Sequence, residues 1–135
     1  MKKLFIISLT VFLTVLNLAL SQQNNQQEMP VYQPQFIVSD IYIAITILDG
    51  VDIKGNEVDA FLEVKKTLND YLNDAKNKNL KAEDKIVVKM PAVIAQNTIT
   101  FLSRAVLKGN LADAYKRFVD AIFASAKQKL SLIHI

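Results

Sequence analysis

Between Lys89 and Arg104 the chain carries no charge: every residue from Met90 to Ser103 is apolar or neutral. Within the wider stretch Leu80–Gly109, apolar residues recur at Ala92, Ala95, Ile99, Leu102 and Val106. A second series runs through Val87, Met90, Ile94, Phe101 and Ala105. Two series at helical spacing place apolar groups on two faces, which suits a helix with neighbours all around it. The run is too short, and too rich in Asn, Gln and Thr, to span a bilayer. The spacing therefore predicts a central helix that the rest of the chain must cover. Glu83 and Asp84 would fall in its first turn. Pro91, one to two turns in, would remove a backbone hydrogen bond and kink it. A kink that splays its neighbours can open a cavity; a bent helix with no cavity satisfies the same pattern.

The chain opens on Met1-Lys2-Lys3, followed by an uncharged apolar run from Leu4 to Leu20. Ala19 and Ser21 put small residues at the two positions a signal peptidase reads. Residues 1–21 are therefore expected to be a cleaved secretory signal peptide, with Gln22 as the first mature residue. A retained membrane anchor is the competing reading, against which stand the length of the run and the lack of a basic flank after it. Lys and Arg number 16 and Asp and Glu 13. Two of the lysines leave with the leader, so a single excess positive charge remains and nothing in the balance points to nucleic acid. The chain has no cysteine. A secreted domain without disulfides must stand on its core, and 51% hydrophobic residues make that feasible at this length. Disulfide-framed classes such as odorant-binding proteins, defensins and plant-type lipid-transfer proteins are excluded. No Asn-x-Ser/Thr sequon occurs, so N-glycosylation is not expected.

Residues 22–35 are Gln/Asn-rich and interrupted by Pro30 and Pro34, the composition of a flexible tail. Residues 36–51 read two ways. Ile41, Ile43, Ile45 and Ile47 alternate like a strand, whereas Ile37, Ile41, Ala44, Leu48 and Val51 form a helical stripe. Helix is favoured because no partner strand is evident. Asp49-Gly50 and Lys54-Gly55-Asn56 make the next turn, and Asn56 is a good cap for a second helix. That helix carries its apolar stripe on Phe61, Val64, Leu68, Tyr71, Leu72 and Ala75, and ends at Asn77-Lys78-Asn79. Gly109 closes the uncharged helix. Asn110 then caps a last one, with Leu111, Tyr115, Phe118, Val119, Ile122 and Ala126 inward. The fold class is all-α: a small bundle of about four helices over residues 36–129. Residues 130–135 resemble a translated sequencing adaptor and are assigned no role.

The chemistry available is sparse. The one histidine is His134, so neither a Ser-His triad nor a histidine-based metal site can be assembled. Gly50, Gly55 and Gly109 are isolated turn residues, not a phosphate loop. Asp49/Asp52 and Glu83/Asp84 are explained by helix ends better than by acid–base work or calcium binding. Lys76, Lys78, Lys81, Lys85 and Lys89 form a basic patch around the second turn. It could meet anionic head groups or a wall polymer, but interleaved acids favour a solvated loop. An enzyme is not expected, nor a cofactor or metal.

Several features occur together in order. After the leader come Ile41 to Leu48 closing on Asp49, Gly55-Asn56 with Asp59-Ala60, and Leu68 with Leu72. Leu80 followed by Asp84, Pro91-Ala92-Val93, Leu102 and Leu107-Lys108 complete the series. This resembles the hydrophobic surface binding protein A / cell-wall galactomannoprotein family of secreted fungal proteins, over roughly residues 37–118. The resemblance implies a non-enzymatic helical protein of the extracellular space or cell wall. Such a protein adsorbs to hydrophobic surfaces or holds a lipid, and in some relatives recruits a secreted hydrolase to a solid substrate. If a fatty-acyl pocket exists, its expected lining is Phe61, Leu68, Met90, Ile94, Phe101, Leu102, Phe118 and Ile122. Plain core packing is the competing reading for each of them. The alternative function is a secreted interaction protein, an effector or wall component, with a solid core and a protein-binding surface.

Overall fold

The computed structural model describes residues 28–133. The expected signal peptide, its cleavage site and residues 22–27 of the Gln/Asn-rich tail lie outside the described residues. Four α-helices dominate: α1 (Val38–Leu48), α2 (Val58–Asn77), α3 (Ala92–Leu102) and α4 (Ala112–Ile133). Four short strands join them: β1 (Val31–Tyr32), β2 (Gln35–Ile37), β3 (Lys85–Val87) and β4 (Met90–Pro91). The protein is a small, mostly helical bundle, with α4 continuing into the tail that the sequence left unassigned.

The helix at the centre is α1, not the uncharged run. It packs against all three other helices, and Ile41, Ala44, Ile45, Ile47 and Leu48 are buried along it. The alternating isoleucines are compatible with a strand, but the favoured reading, helix, is the one found. The helix wins because only a narrow rod can present apolar groups to three neighbours at once. Its first turn is satisfied from outside: the Val38 and Ser39 N–H groups donate to the Asp84 and Ala82 carbonyls at 3.0 and 2.9 Å.

The expected helix from Leu80 to Gly109 is present over Ala92–Leu102 alone. Pro91 does not kink it; it stands in front of it as the extended residue at the helix start, with φ −57° and ψ 143°. The ring fixes φ and removes an N–H that a first-turn residue does not use, so proline starts this helix instead of bending it. Upstream of it the period is two, not 3.6. Ile86, Val88 and Met90 are buried, while Lys85, Val87 and Lys89 are exposed. Downstream, Val106 is fully exposed, not part of a buried stripe. Glu83 and Asp84 accordingly lie in a loop, where the Asp84 carboxylate accepts the Lys81 N–H at 2.7 Å.

The segment expected to be tail, and the start of the segment expected to be helix, form strands whose partners are the distant residues 85–91. Val31 lies opposite Pro91 and Tyr32 opposite Met90. Gln35, Phe36 and Ile37 lie opposite Val87, Ile86 and Lys85. All five pairs keep one register, so β1–β4 and β2–β3 are a single antiparallel ribbon interrupted where Pro34 has no N–H to give. The Val88 N–H still donates to the Pro34 carbonyl at 3.1 Å, and the Ala92 N–H to Pro30 at 2.9 Å. Tyr32, Pro34 and Phe36 face inward from this ribbon. Phe36 stacks on Phe118 of α4 with ring centroids 4.5 Å apart and 13° between planes.

Helix ends follow local chemistry. Asn79 adopts φ 57°, the left-handed conformation that asparagine tolerates after a helix. The Leu80 and Asn79 N–H groups turn back to the Ala75 and Lys76 carbonyls, both at 3.0 Å. Asn56 and Asn110 do not cap α2 and α4 directly; each lies in a 3-10 turn, Gly55–Glu57 and Gly109–Leu111. The Glu57 carboxylate accepts two hydrogen bonds from the Arg104 guanidinium, each at 2.7 Å, and the Lys54 N–H at 2.9 Å. Arg104 first, and Lys54 second, hold its carboxyl down from the ordinary 4.5 to about 2. Folded Glu57 therefore binds fewer protons than unfolded Glu57 at intermediate acidity. Its contribution is complete above pH 4.5 and disappears as the pH falls toward 2. A set of melting temperatures across that window should slope downward on acidification, and Glu57→Gln should flatten the slope. Equal slopes in the two proteins would show that this pair does not contribute to acid sensitivity.

Candidate functional site

The eight residues expected to line an acyl pocket are brought together, but as packed core. Leu68, Met90, Ile94, Phe101, Leu102, Phe118 and Ile122 are all buried, in one cluster with Ile41, Leu48 and Val64. Phe61 is half-buried and meets Phe101 edge to face, with centroids 5.3 Å apart. None of the eight lines either of the two hollows described next.

Both hollows lie where the ribbon meets α4. The larger, about 410 Å³, is bounded by Val31, Gln33, Gln35 and Val87 on the ribbon side and by Ser125, Gln128 and Lys129 on the helix side. The smaller, about 170 Å³, is bounded by Gln35, Ile37, Lys85, Asp40 and Arg117. Gln35 borders both, so the two form one trench along the strand Val31–Ile37. Local sequence explains the helix wall: Ala114, Phe118, Ile122 and Ser125 repeat every three or four residues and turn inward. Gln128 and Lys129 follow at positions that the core does not reach. The Ser125 hydroxyl is buried and donates to the Ile122 carbonyl at 2.7 Å, so it is satisfied without a ligand.

One end of the trench is set by an ion pair. Asp40, 2% exposed, accepts from Arg117 Nε at 3.0 Å and Nη2 at 2.9 Å. This is the two-pronged geometry that a guanidinium offers a carboxylate. Asp40 sits in the first turn of α1, where the helix dipole also favours a negative charge. The pair raises the Arg117 guanidinium above its ordinary range, through the Asp40 hydrogen bond first and its charge second. The opposite side of the ribbon is closed differently. The Tyr71 hydroxyl on α2 donates to the Lys89 carbonyl at 2.8 Å. Burial, and then the Asp70 charge, push that phenol up to about 12.

Among the described residues, no group of three or more His, Cys, Asp or Glu is placed to hold a metal ion, and no helix is long and apolar enough to cross a membrane. The lysine patch is exposed as read, and Lys78 pairs with Asp74 at 3.1 Å on the helix surface. Lys85 alone of that patch reaches a hollow. Sequence reasoning missed the trench because it assigned residues 31–35 to a tail. The available signal was the alternation Lys85-Ile86-Val87-Val88-Lys89-Met90, which demands a partner strand. No protein-family model, no curated protein and no solved structure matches this chain.

Proposed function

We propose that this chain is a secreted, non-enzymatic interaction protein that binds another molecule on the outer face of its bundle, in the trench between the ribbon and α4. The observation that carries this reading is the division of its apolar residues. The central aromatics and leucines are spent on each other, and the accessible concavity is shallow, mixed in polarity and at the surface. An acyl chain of about a dozen methylenes gains roughly 10 kcal/mol on burial, but here it would first have to separate side chains that are buried against one another. A peptide or polymer segment lying in the trench displaces only water.

Panning a displayed random-peptide library on the secreted protein tests the reading. Peptides that bind the wild type and lose binding to Gln128→Trp, which fills the trench, are the expected outcome. A fluorescent fatty acid should show no saturable binding at micromolar concentration. Saturable acyl binding together with trench-independent peptides would overturn the proposal in favour of a lipid carrier. A second reading, adsorption to a hydrophobic surface as the family resemblance implies, draws on Phe123, which is 53% exposed on α4.

A further inference from the structure

Both edges of the ribbon present main-chain groups without a partner among the described residues, and the edge of the first strand is the one that borders the hollows beside α4. Three cross-strand bonds, Val38 to Asp84, Val88 to Pro34 and Ala92 to Pro30, join residues that face each other in the common register. The hydrogen-bonded positions on the first strand are therefore the even ones, and the main-chain groups of the odd ones point away from the partner strand. On the second strand the outward carbonyl of Lys89 is taken by Tyr71. On the first strand the N–H and C=O of Val31, Gln33 and Gln35 find no hydrogen-bond partner among the described residues. They repeat every 7 Å or so along an extended chain, and their residues line the hollow shared with Ser125, Gln128 and Lys129 of α4.

Edges of this kind are ordinarily blunted by lysine, proline or a bulge. None of these devices acts here. Pro34 is buried, the Pro30 and Pro34 carbonyls bond to the partner strand, no side chain from Val31 to Ile37 is charged, and the register is unbroken. The trench along the edge is cationic. Lys129 stands toward one end, and Lys85 and Arg117 toward the other. Asp40 is the one carboxylate in its lining among the described residues, and Arg117 neutralises it. Asp113, one turn before Arg117, weakens that end through its charge. From Ala121 to Lys129, α4 carries no acid at all.

Resting on the function proposed above, we infer that the trench takes an extended acidic peptide segment of a partner protein, which adds as a third strand to the open edge of Val31–Gln35 while its carboxylates meet Lys129 and Lys85. Main-chain bonds to the edge would supply affinity with little demand on sequence, and the cations would select for acidic side chains. The open groups from Val31 to Gln35 span about 14 Å of strand, within the roughly 18 Å that α4 covers from Arg117 to Lys129.

The test uses a fluorescein-labelled heptapeptide alternating valine and glutamate, titrated into the secreted protein. Three other probes accompany it: the same peptide N-methylated at alternate amides, the valine–lysine counterpart, and an oligogalacturonate of similar charge. The acidic peptide should bind saturably, and N-methylation and the lysine exchange should each weaken it at least tenfold. Lys129→Glu and Lys85→Glu, both on exposed or half-exposed side chains, should do the same without lowering the melting temperature. Amide exchange at Gln33 and Gln35 should slow when the peptide is bound. Equal binding of the N-methylated peptide, or tighter binding of the oligogalacturonate, would overturn strand addition. Trench-dependent library peptides that are neither acidic nor sensitive to N-methylation would overturn this inference and leave the interaction function standing. Absence of any trench-dependent peptide would overturn both.

Discussion

Phe101→Ala is expected to lower stability by about 3–5 kcal/mol, and to do so without creating an acyl-binding protein. Phe101 is 4% exposed, packs edge to face on Phe61 at 5.3 Å, and carries the Arg104 guanidinium 5.4 Å from its ring centroid. Truncation therefore removes ring burial, an aromatic pair and the platform under the cation that reaches Glu57. A domain of this size holds roughly 5–15 kcal/mol in total, so the variant should melt far below the wild type and could be largely unfolded at 37 °C. A calorimetric melt measures the cost. A loss below about 1 kcal/mol would mean that the ring already borders empty space, and would restore the cavity reading. Phe61→Ala is the companion: Phe61 is half-buried, so its cost should be clearly smaller if packing governs both sites.

Arg117→Met should be the next most damaging change, although Arg117 itself is half-exposed. The cost arises at Asp40, whose carboxylate is 2% exposed and whose two oxygens are both engaged by that guanidinium. A buried carboxylate left without its partner costs about 3–5 kcal/mol, and water entering from the adjoining hollow of about 170 Å³ should hold the loss near the lower end. The double variant Asp40→Leu with Arg117→Met should regain most of what the single change lost, because an apolar pair of similar volume avoids the desolvation. A double-mutant cycle read by urea denaturation measures the coupling. Additive losses would show that the pair is a surface contact with no energetic link between α1 and α4.

The amphipathic stripes of α2 and α4 were legible in the sequence because they are local. Val64, Leu68 and Ala75, and then Phe118 and Ile122, repeat at the helical period, and side chains one or two turns apart must share a face whatever surrounds them. The eight candidate site residues were legible in the same sense. Their apolar character and spacing gathered them into one cluster, but spacing cannot say whether a cluster is filled or hollow. That depends on how closely the helices approach, which is a property of all four together.

Long-range pairing was not legible. Residues 31–37 are polar or ambiguous when read alone, and they become strand because the distant residues 85–91 offer a register-matched partner. The isoleucine run of α1 allowed either structure, helix was the favoured reading and helix is found, fixed by its place among three other helices. The same pairing turned Pro91 from an expected kink into a helix start. By itself the sequence determined the helical class, the turns at Asp49-Gly50 and Asn79, the polarity of each long helix and the dependence of a cysteine-free chain on its core. Tertiary structure alone decided which helix is central, that Asp40 and Arg117 meet, and that the edge of Val31–Gln35 has no main-chain partner among the described residues. Those features arise where elements distant in sequence bury one another, and no local period encodes which partner they find.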